Sequence, residues 1–318
     1  MNTNKNINIE CVDVIERMYI NGVYQYVSIK GRNINNPILF VLHGGPGDAS
    51  IPLVRKYNKE IESCYTVVVW EQRGCGKSYY KFSKNENLNI DTFVEDARTI
   101  CNVLLDRFGK EKLYLTAHSW GSVIGLKLIL KYPELFALYV GCGQVINMRK
   151  TTQIAQNFVL EKLKEKRETK LYDKIKIVDT SYKGLNWYND LMLVTGLLVK
   201  NKGSLHNKTN YNEYIKCFLM SHEYSVKDLI NRLKGSEQSI KYLWQELMDT
   251  NFEDIKRFNV PVIFIEGRYD YHSSAKVVEE YYQEIETDKK YFWFENSAHF
   301  PQWSEADKYN KIMTELAN

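Results

Sequence analysis

The octapeptide LTAHSWGS at residues 115–122 sets Ser119 between a histidine and a tryptophan, with Ala117 two places before it and Gly121 two places after. A serine hydroxyl becomes a nucleophile when a base takes its proton and a sharp strand-to-helix turn presents it, so the flanking positions must be small. The pattern G-x-S-x-G meets that need with two glycines. Here alanine stands for the first and adds one methyl, while Gly121 keeps the second. The chemistry open to such a serine is acyl transfer. It calls for a base, an acid to hold the base, and fixed N–H donors for the oxyanion of a tetrahedral intermediate.

Candidates for all of these stand at matching places. HGGPG, residues 43–47, follows an apolar run, and its glycines let the backbone approach a developing oxyanion. The amides of Gly45 and Trp120 are assigned as the donors, each worth roughly 3 to 4 kcal/mol to the transition state. Pro46 leaves a cis bond open as a way of locking the loop. GRYD sets Asp270, and ENSAHF sets His299, each just past an apolar run late in the chain. His299 is read as the base and Asp270 as the acid that orients it. Taken singly, these residues have plainer readings: a serine capping a helix, a Gly-Pro loop, an aspartate in a turn, a core histidine. Four landmarks in the order loop, Ser, Asp, His, each at the end of a strand, favour catalysis.

Among the other histidines, His43 and His118 are read as orienting backbone. His272 is a rival base that sits too close to Asp270 along the chain to bridge to Ser119, and His206 and His222 fall in a helical region. No clustered ligands suggest a metal, no cofactor is called for, and no carboxylate pair suggests glycosidase chemistry.

The elements that must position these groups are legible in the same text. VIERMYING and YQYVSIKG alternate around Asn21-Gly22 and predict an antiparallel hairpin. ILFVLHGG (38–45), YTVVVWEQRG (65–74), LYLTAHS (113–119), ALYVGCG (137–143), PVIFIEG (261–267) and KYFWFE (290–295) are short apolar runs, as in a parallel sheet buried on both faces. Helices are expected at 91–108, with Asp91 as N-cap and Gly109 as stop, and at 120–132, 274–285 and 304–316. Between 145 and 255 the strand signal gives way to helical text rich in Lys, Asn and aromatics. The expected organisation is an α/β fold with a mostly parallel sheet flanked by helices. Residues 1–144 and 256–318 would form its discontinuous core, and 145–255 an inserted helical cap.

Composition sets the outer bounds. The chain has 318 residues, 44% apolar and 26% charged, with a formal net charge of only +4. That is an ordinary globular composition, and the glutamates within KLKEKRETK (162–170) make it an exposed helix face, not a nucleic-acid stripe. The cysteines at 11, 64, 75, 101, 142 and 217 form no C-x-x-C pair and are read as reduced thiols. The polar start MNTNKNINIE lacks the apolar run of a secretion signal, and no window approaches the ~18 apolar residues of a membrane span. A cytoplasmic protein without membrane or nucleic-acid partners is expected. The oligomeric state is not fixed by the sequence.

HGGPG, WEQRGCGKS (70–78), HSWGS (118–122), GRYD (267–270) and the late SAHF together resemble the proline iminopeptidase group of α/β hydrolases. The likeness runs from about residue 38 to the C-terminus and leaves the cap uncovered. It implies Ser119, Asp270 and His299 as the triad, Gly45 and Trp120 as the oxyanion hole, and release of an N-terminal residue, often proline, from peptides. Two departures stand out: Ala117, and Glu71 where the family's D-Q-R-G pattern has aspartate.

A short-peptide or small-molecule substrate is therefore expected. The alternatives are a carboxylesterase or similar acyl hydrolase and, from a different class, a binding protein that kept the fold without catalysis. An exopeptidase must hold a free ammonium group, for which Glu213, Glu223, Glu237 and Glu246 are the cap candidates, although solvated surface is the plainer reading of each. Trp187, Tyr188, Tyr211, Tyr214, Phe218, Tyr224 and Trp244 are candidates to line an apolar pocket, most of them reading as cap core.

Overall fold

Asn21 and Gly22 take φ of 42° and 89°, the left-handed pair that a tight hairpin with the right twist requires. They join β1 (Val12–Ile20) to β2 (Val23–Gly31), paired antiparallel with Ile20 opposite Val23. The computed structural model describes residues 10–83 and 85–317. The polar stretch MNTNKNINIE therefore lies, but for Glu10, outside the described residues.

The apolar runs become β3 (Ile38–Leu42), β4 (Thr66–Glu71), β5 (Leu113–His118), β6 (Phe136–Cys142), β7 (Val262–Gly267) and β8 (Lys289–Phe294). They form one eight-stranded sheet in the order β1-β2-β4-β3-β5-β6-β7-β8. β2 meets β4 antiparallel, and from β4 to β8 all pairs are parallel. Every residue of β4 and β7 is buried, which is why these strands read as unbroken apolar runs. Val68 and Trp70 enter the core on one face of the sheet, Val67 and Val69 the core on the other.

The chain passes from β3 to β4 on one side and then returns to lay β5 on the opposite side of β3. At such a switch point the loops leaving neighbouring carboxyl ends diverge and open a crevice. HGGPG leaves β3 and Ser119 leaves β5, so the topology brings the two motifs to one place.

The helices are α1 (Ile51–Tyr57), α2 (Ile90–Phe108), α3 (Trp120–Lys131), α4 (Met148–Glu165), α5 (Thr169–Lys176), α6 (Trp187–Lys200), α7 (Asn212–Leu219), α8 (Val226–Met248), α9 (Ala275–Glu284), α10 (Pro301–Ser304) and α11 (Ala306–Leu316). α1 and the short α10 have no counterpart in the sequence reading, because each is too brief to show a period. The expected cap of α2 is corrected. Asn89, not Asp91, is its N-cap, accepting from the Thr92 amide at 2.9 Å while its own amide donates to Thr92 Oγ1 at 3.3 Å. Asp91 lies in the first turn and pairs with Lys127. Gly109 ends the helix at φ 60°. Helices α4 to α8 all stand between β6 and β7. Among the described residues no helix is long and apolar enough to cross a membrane.

Candidate active site

β5 runs straight into α3 at Ser119, whose φ of 51° and ψ of −122° lie where L-residues are strained. That turn is held by close packing. A Cβ on Gly121 would meet the Leu42 and His43 carbonyl oxygens at 2.5 and 2.6 Å, so only glycine fits. The strained turn aims the Ser119 hydroxyl out of the sheet edge.

The late loops converge on it. His299 Nε2 lies 2.9 Å from Ser119 Oγ, and His299 Nδ1 lies 2.9 Å from Asp270 Oδ2. Asp270 and His299 are 4% and 2% exposed. A carboxylate can only accept, so Nδ1–H donates to Asp270 and Nε2 is left to accept the serine proton. Burial alone would raise the Asp270 carboxyl, but the His299 imidazole and the Ser273 hydroxyl outweigh it and hold it well below the usual carboxylate range. The amides of His272 (2.7 Å) and Ser273 (3.0 Å) donate to Asp270 Oδ1, and Ser273 Oγ donates to Oδ2 at 2.6 Å.

Gly45 sits at φ 141° before a cis bond to Pro46. A Cβ there would meet the Gly47 amide at 2.6 Å, so this position also demands glycine. Gly45, Ser119 and Trp120 line one cleft. The Gly45 and Trp120 amides have no hydrogen-bonding partner among the described residues, which leaves both free to serve an oxyanion.

Most of the remaining wall comes from the segment between β6 and β7, including Met148, Leu191, Val194, Leu198 and Trp244 on its helices and Tyr182 on the loop between α5 and α6. Most of the candidates for this wall lie elsewhere, as their plainer readings have it. None of the four candidate glutamates reaches this wall. Glu213 pairs with Lys208 and Tyr57, Glu223 with Arg55, and Glu237 with Lys241, while Glu246 accepts from the Ile90 amide at the start of α2. Of the seven aromatics only Trp244 lines the cleft. Tyr214 and Phe218 on α7, and Tyr224 on the loop that follows it, pack instead into the core with α1. Tyr182 lines the cleft without having been singled out.

His43, His118 and His272 hold structure. His118 Nε2 donates to the His299 carbonyl at 2.8 Å, and burial, then the neighbouring His299 ring, keep its imidazole well below its usual range. Burial lowers His43 to about 4. The His272 ring stacks flat on His299, centroids 4.4 Å apart, with Nδ1 against Ser204 Oγ. It is thus a neighbour of His299 and makes no hydrogen bond to Ser119. Sequence reasoning gave no role to Ser273 or Gln72. An Asp followed at the third position by Ser is a local turn signal that pointed to the first.

The family model described as alpha/beta hydrolase fold matches residues 37–306. The chain belongs to the α/β-hydrolase fold family. As an α/β hydrolase it is 33% identical over 311 residues, 96% of each chain, to the "Probable aminopeptidase YbaC" of Bacillus subtilis (strain 168). It is 25% identical over 333 residues to a proline iminopeptidase of Saccharolobus solfataricus, covering 99% of this chain and 94% of that one. Among solved structures, the proline iminopeptidase of Mycobacterium smegmatis superposes with a TM-score of 0.68 at 15% identity, over 96% of this chain and 97% of its own. VinJ gives 0.69, also at 15% identity, over 96% and 98%. At such identities the structural likeness speaks for the fold alone.

Proposed function

We propose that this α/β hydrolase is a serine aminopeptidase of the proline iminopeptidase type, which releases N-terminal residues from short peptides through an acyl-enzyme on Ser119. The observation that carries the reading is the unbroken chain from Ser119 Oγ through His299 to Asp270, with both contacts at 2.9 Å. His299 takes the serine proton as Oγ attacks the carbonyl, and the Gly45 and Trp120 amides receive the oxyanion. The same imidazole then protonates the leaving amine and activates the water that frees the acyl group. Asp270 keeps the imidazole in the useful tautomer throughout. The named relatives supply the peptidase part of the reading.

Residues 145–255 act as a cap over the core of 1–144 and 256–318 in this account, because they supply most of the cleft wall and so exclude water from the acyl-enzyme. A cytoplasmic setting is supported by six cysteines that are all unpaired.

One observation favours a second reading. No carboxylate stands among the residues lining the cleft, whereas a free ammonium group is most simply held by one. A carboxylesterase or related acyl hydrolase needs no such partner. Steady-state turnover of a prolyl arylamide against short-chain aryl esters separates the two. Hydrolysis of the arylamide supports the aminopeptidase, and turnover of esters alone removes it in favour of the esterase.

A further inference from the structure

Gln72 follows β4 and is fully buried. Its side-chain oxygen accepts from Trp120 Nε1 at 2.8 Å, and its side-chain nitrogen donates to the His43 carbonyl at 3.1 Å. Its backbone amide donates to His43 Nε2 at 3.2 Å, and His43 Nδ1 donates to the Gly44 carbonyl at 2.7 Å. One side-chain amide therefore ties the loop that carries the Gly45 amide to the residue that carries the other donor. Both ends of that amide are used, one as acceptor and one as donor. His43 can take the Gln72 amide only as a neutral imidazole, which its burial ensures at ordinary pH.

We propose that Gln72 is a positioning residue that fixes the separation of the two oxyanion donors, Gly45 N–H and Trp120 N–H, without touching substrate. The proposal rests on the reading of Ser119 as nucleophile. An oxyanion hole works because its donors already stand where the charge will appear, so a shift of a fraction of an ångström between them weakens the transition state and leaves substrate binding alone. Within the bridge no other residue type does the same. Asparagine is one methylene short, and an ionised glutamate sets a carboxylate oxygen against the His43 carbonyl.

The test compares Gln72→Met, Trp120→Phe, which keeps its backbone amide but loses Nε1–H, and the double variant. Three readouts are taken: the rate at which a fluorophosphonate labels Ser119, kcat and KM on a short-chain 4-nitrophenyl ester, and the melting temperature. Both single variants should lose roughly ten- to hundredfold in labelling rate and kcat, with KM within about threefold of the parent. Because they break the same bridge, the double variant should be no more than about threefold slower than the worse single one.

Labelling of Gln72→Met within about twofold of the parent rate, or single effects that simply multiply, would overturn the proposal. If Gln72→Met fails to fold, Gln72→Asn serves instead. It keeps an amide but is one methylene short of spanning the His43 carbonyl and Trp120 Nε1, and the same loss is expected of it. A parent protein that the fluorophosphonate does not label would instead refute the nucleophile reading, and the positioning role with it.

Discussion

The Ala117 side chain faces Gly125 across the junction of β5 and α3: a Cβ placed on Gly125 would lie 3.1 Å from the Ala117 methyl and 2.7 Å from the Tyr139 ring. The methyl that departs from G-x-S-x-G is thus housed by a glycine one and a half turns into the following helix. Tyr139 cannot swing aside, since it is fully buried with its hydroxyl held by Gln144 at 2.7 Å.

Gly125→Ala should therefore destabilise the protein by about 1–3 kcal/mol, although alanine is the better helix former. Urea unfolding measures it. Restoring glycine at 117 in the same chain should recover part of the loss, because it reopens one of the two close contacts.

Arg73, in the EQRG stretch, sets its guanidinium across Asp96 of α2, with Nε to Oδ2 at 2.6 Å and Nη2 to Oδ1 at 2.7 Å. Gln25 and Asn21 donate to the same carboxylate at 2.7 and 2.9 Å. Arg73→Met leaves a buried charge without its partner and should cost about 3–5 kcal/mol in unfolding free energy. Lysine should restore only part of it, since it cannot offer the paired N–H groups.

Glu71 is the second departure from the family pattern. It is fully buried, accepts from the Lys77 amide at 2.6 Å through Oε2, and has no partner for Oε1. Burial pushes its carboxyl up to about 8 from a usual 4.5. Between those values the unfolded chain has released the proton and the folded one has not, so stability is full below the lower value and falls as pH rises toward the upper. Glu71→Gln removes that slope. It should gain on the parent by about 3 kcal/mol between pH 5 and pH 8 in denaturant melts. Parallel stability curves for the two proteins would count against this.

Asp270→Asn preserves size but no longer favours the tautomer with Nδ1–H. With the fold intact, kcat should drop by roughly 10³–10⁴-fold and KM should hardly move. An equal loss in melting temperature and activity would mean that Asp270 only supports the loop.

What the sequence discloses here follows from how local each signal is. The strands of the sheet announce themselves because β4 and β7 are buried on both faces, and Ser119, Asp270 and His299 because each sits where such a strand stops. The cleft wall is different. Whether Tyr214 or Tyr182 faces Ser119 depends on how α4 to α8 lie on the sheet, and helical spacing alone leaves that open. Asp91 looked like a cap by residue type, yet Asn89 had the right φ and ψ. Gln72 carries no local signal of a role, since its partner Trp120 lies 48 residues on.

The proposed chemistry needs the Ser119 hydroxyl to be made reactive by the His299 imidazole. Mass spectrometry after treatment with a fluorophosphonate reads that directly. A single adduct should appear on the peptide that carries Ser119, be absent from Ser119→Ala, and form far more slowly in His299→Ala. No adduct in the parent protein, or an adduct on another residue that persists in Ser119→Ala, would contradict it.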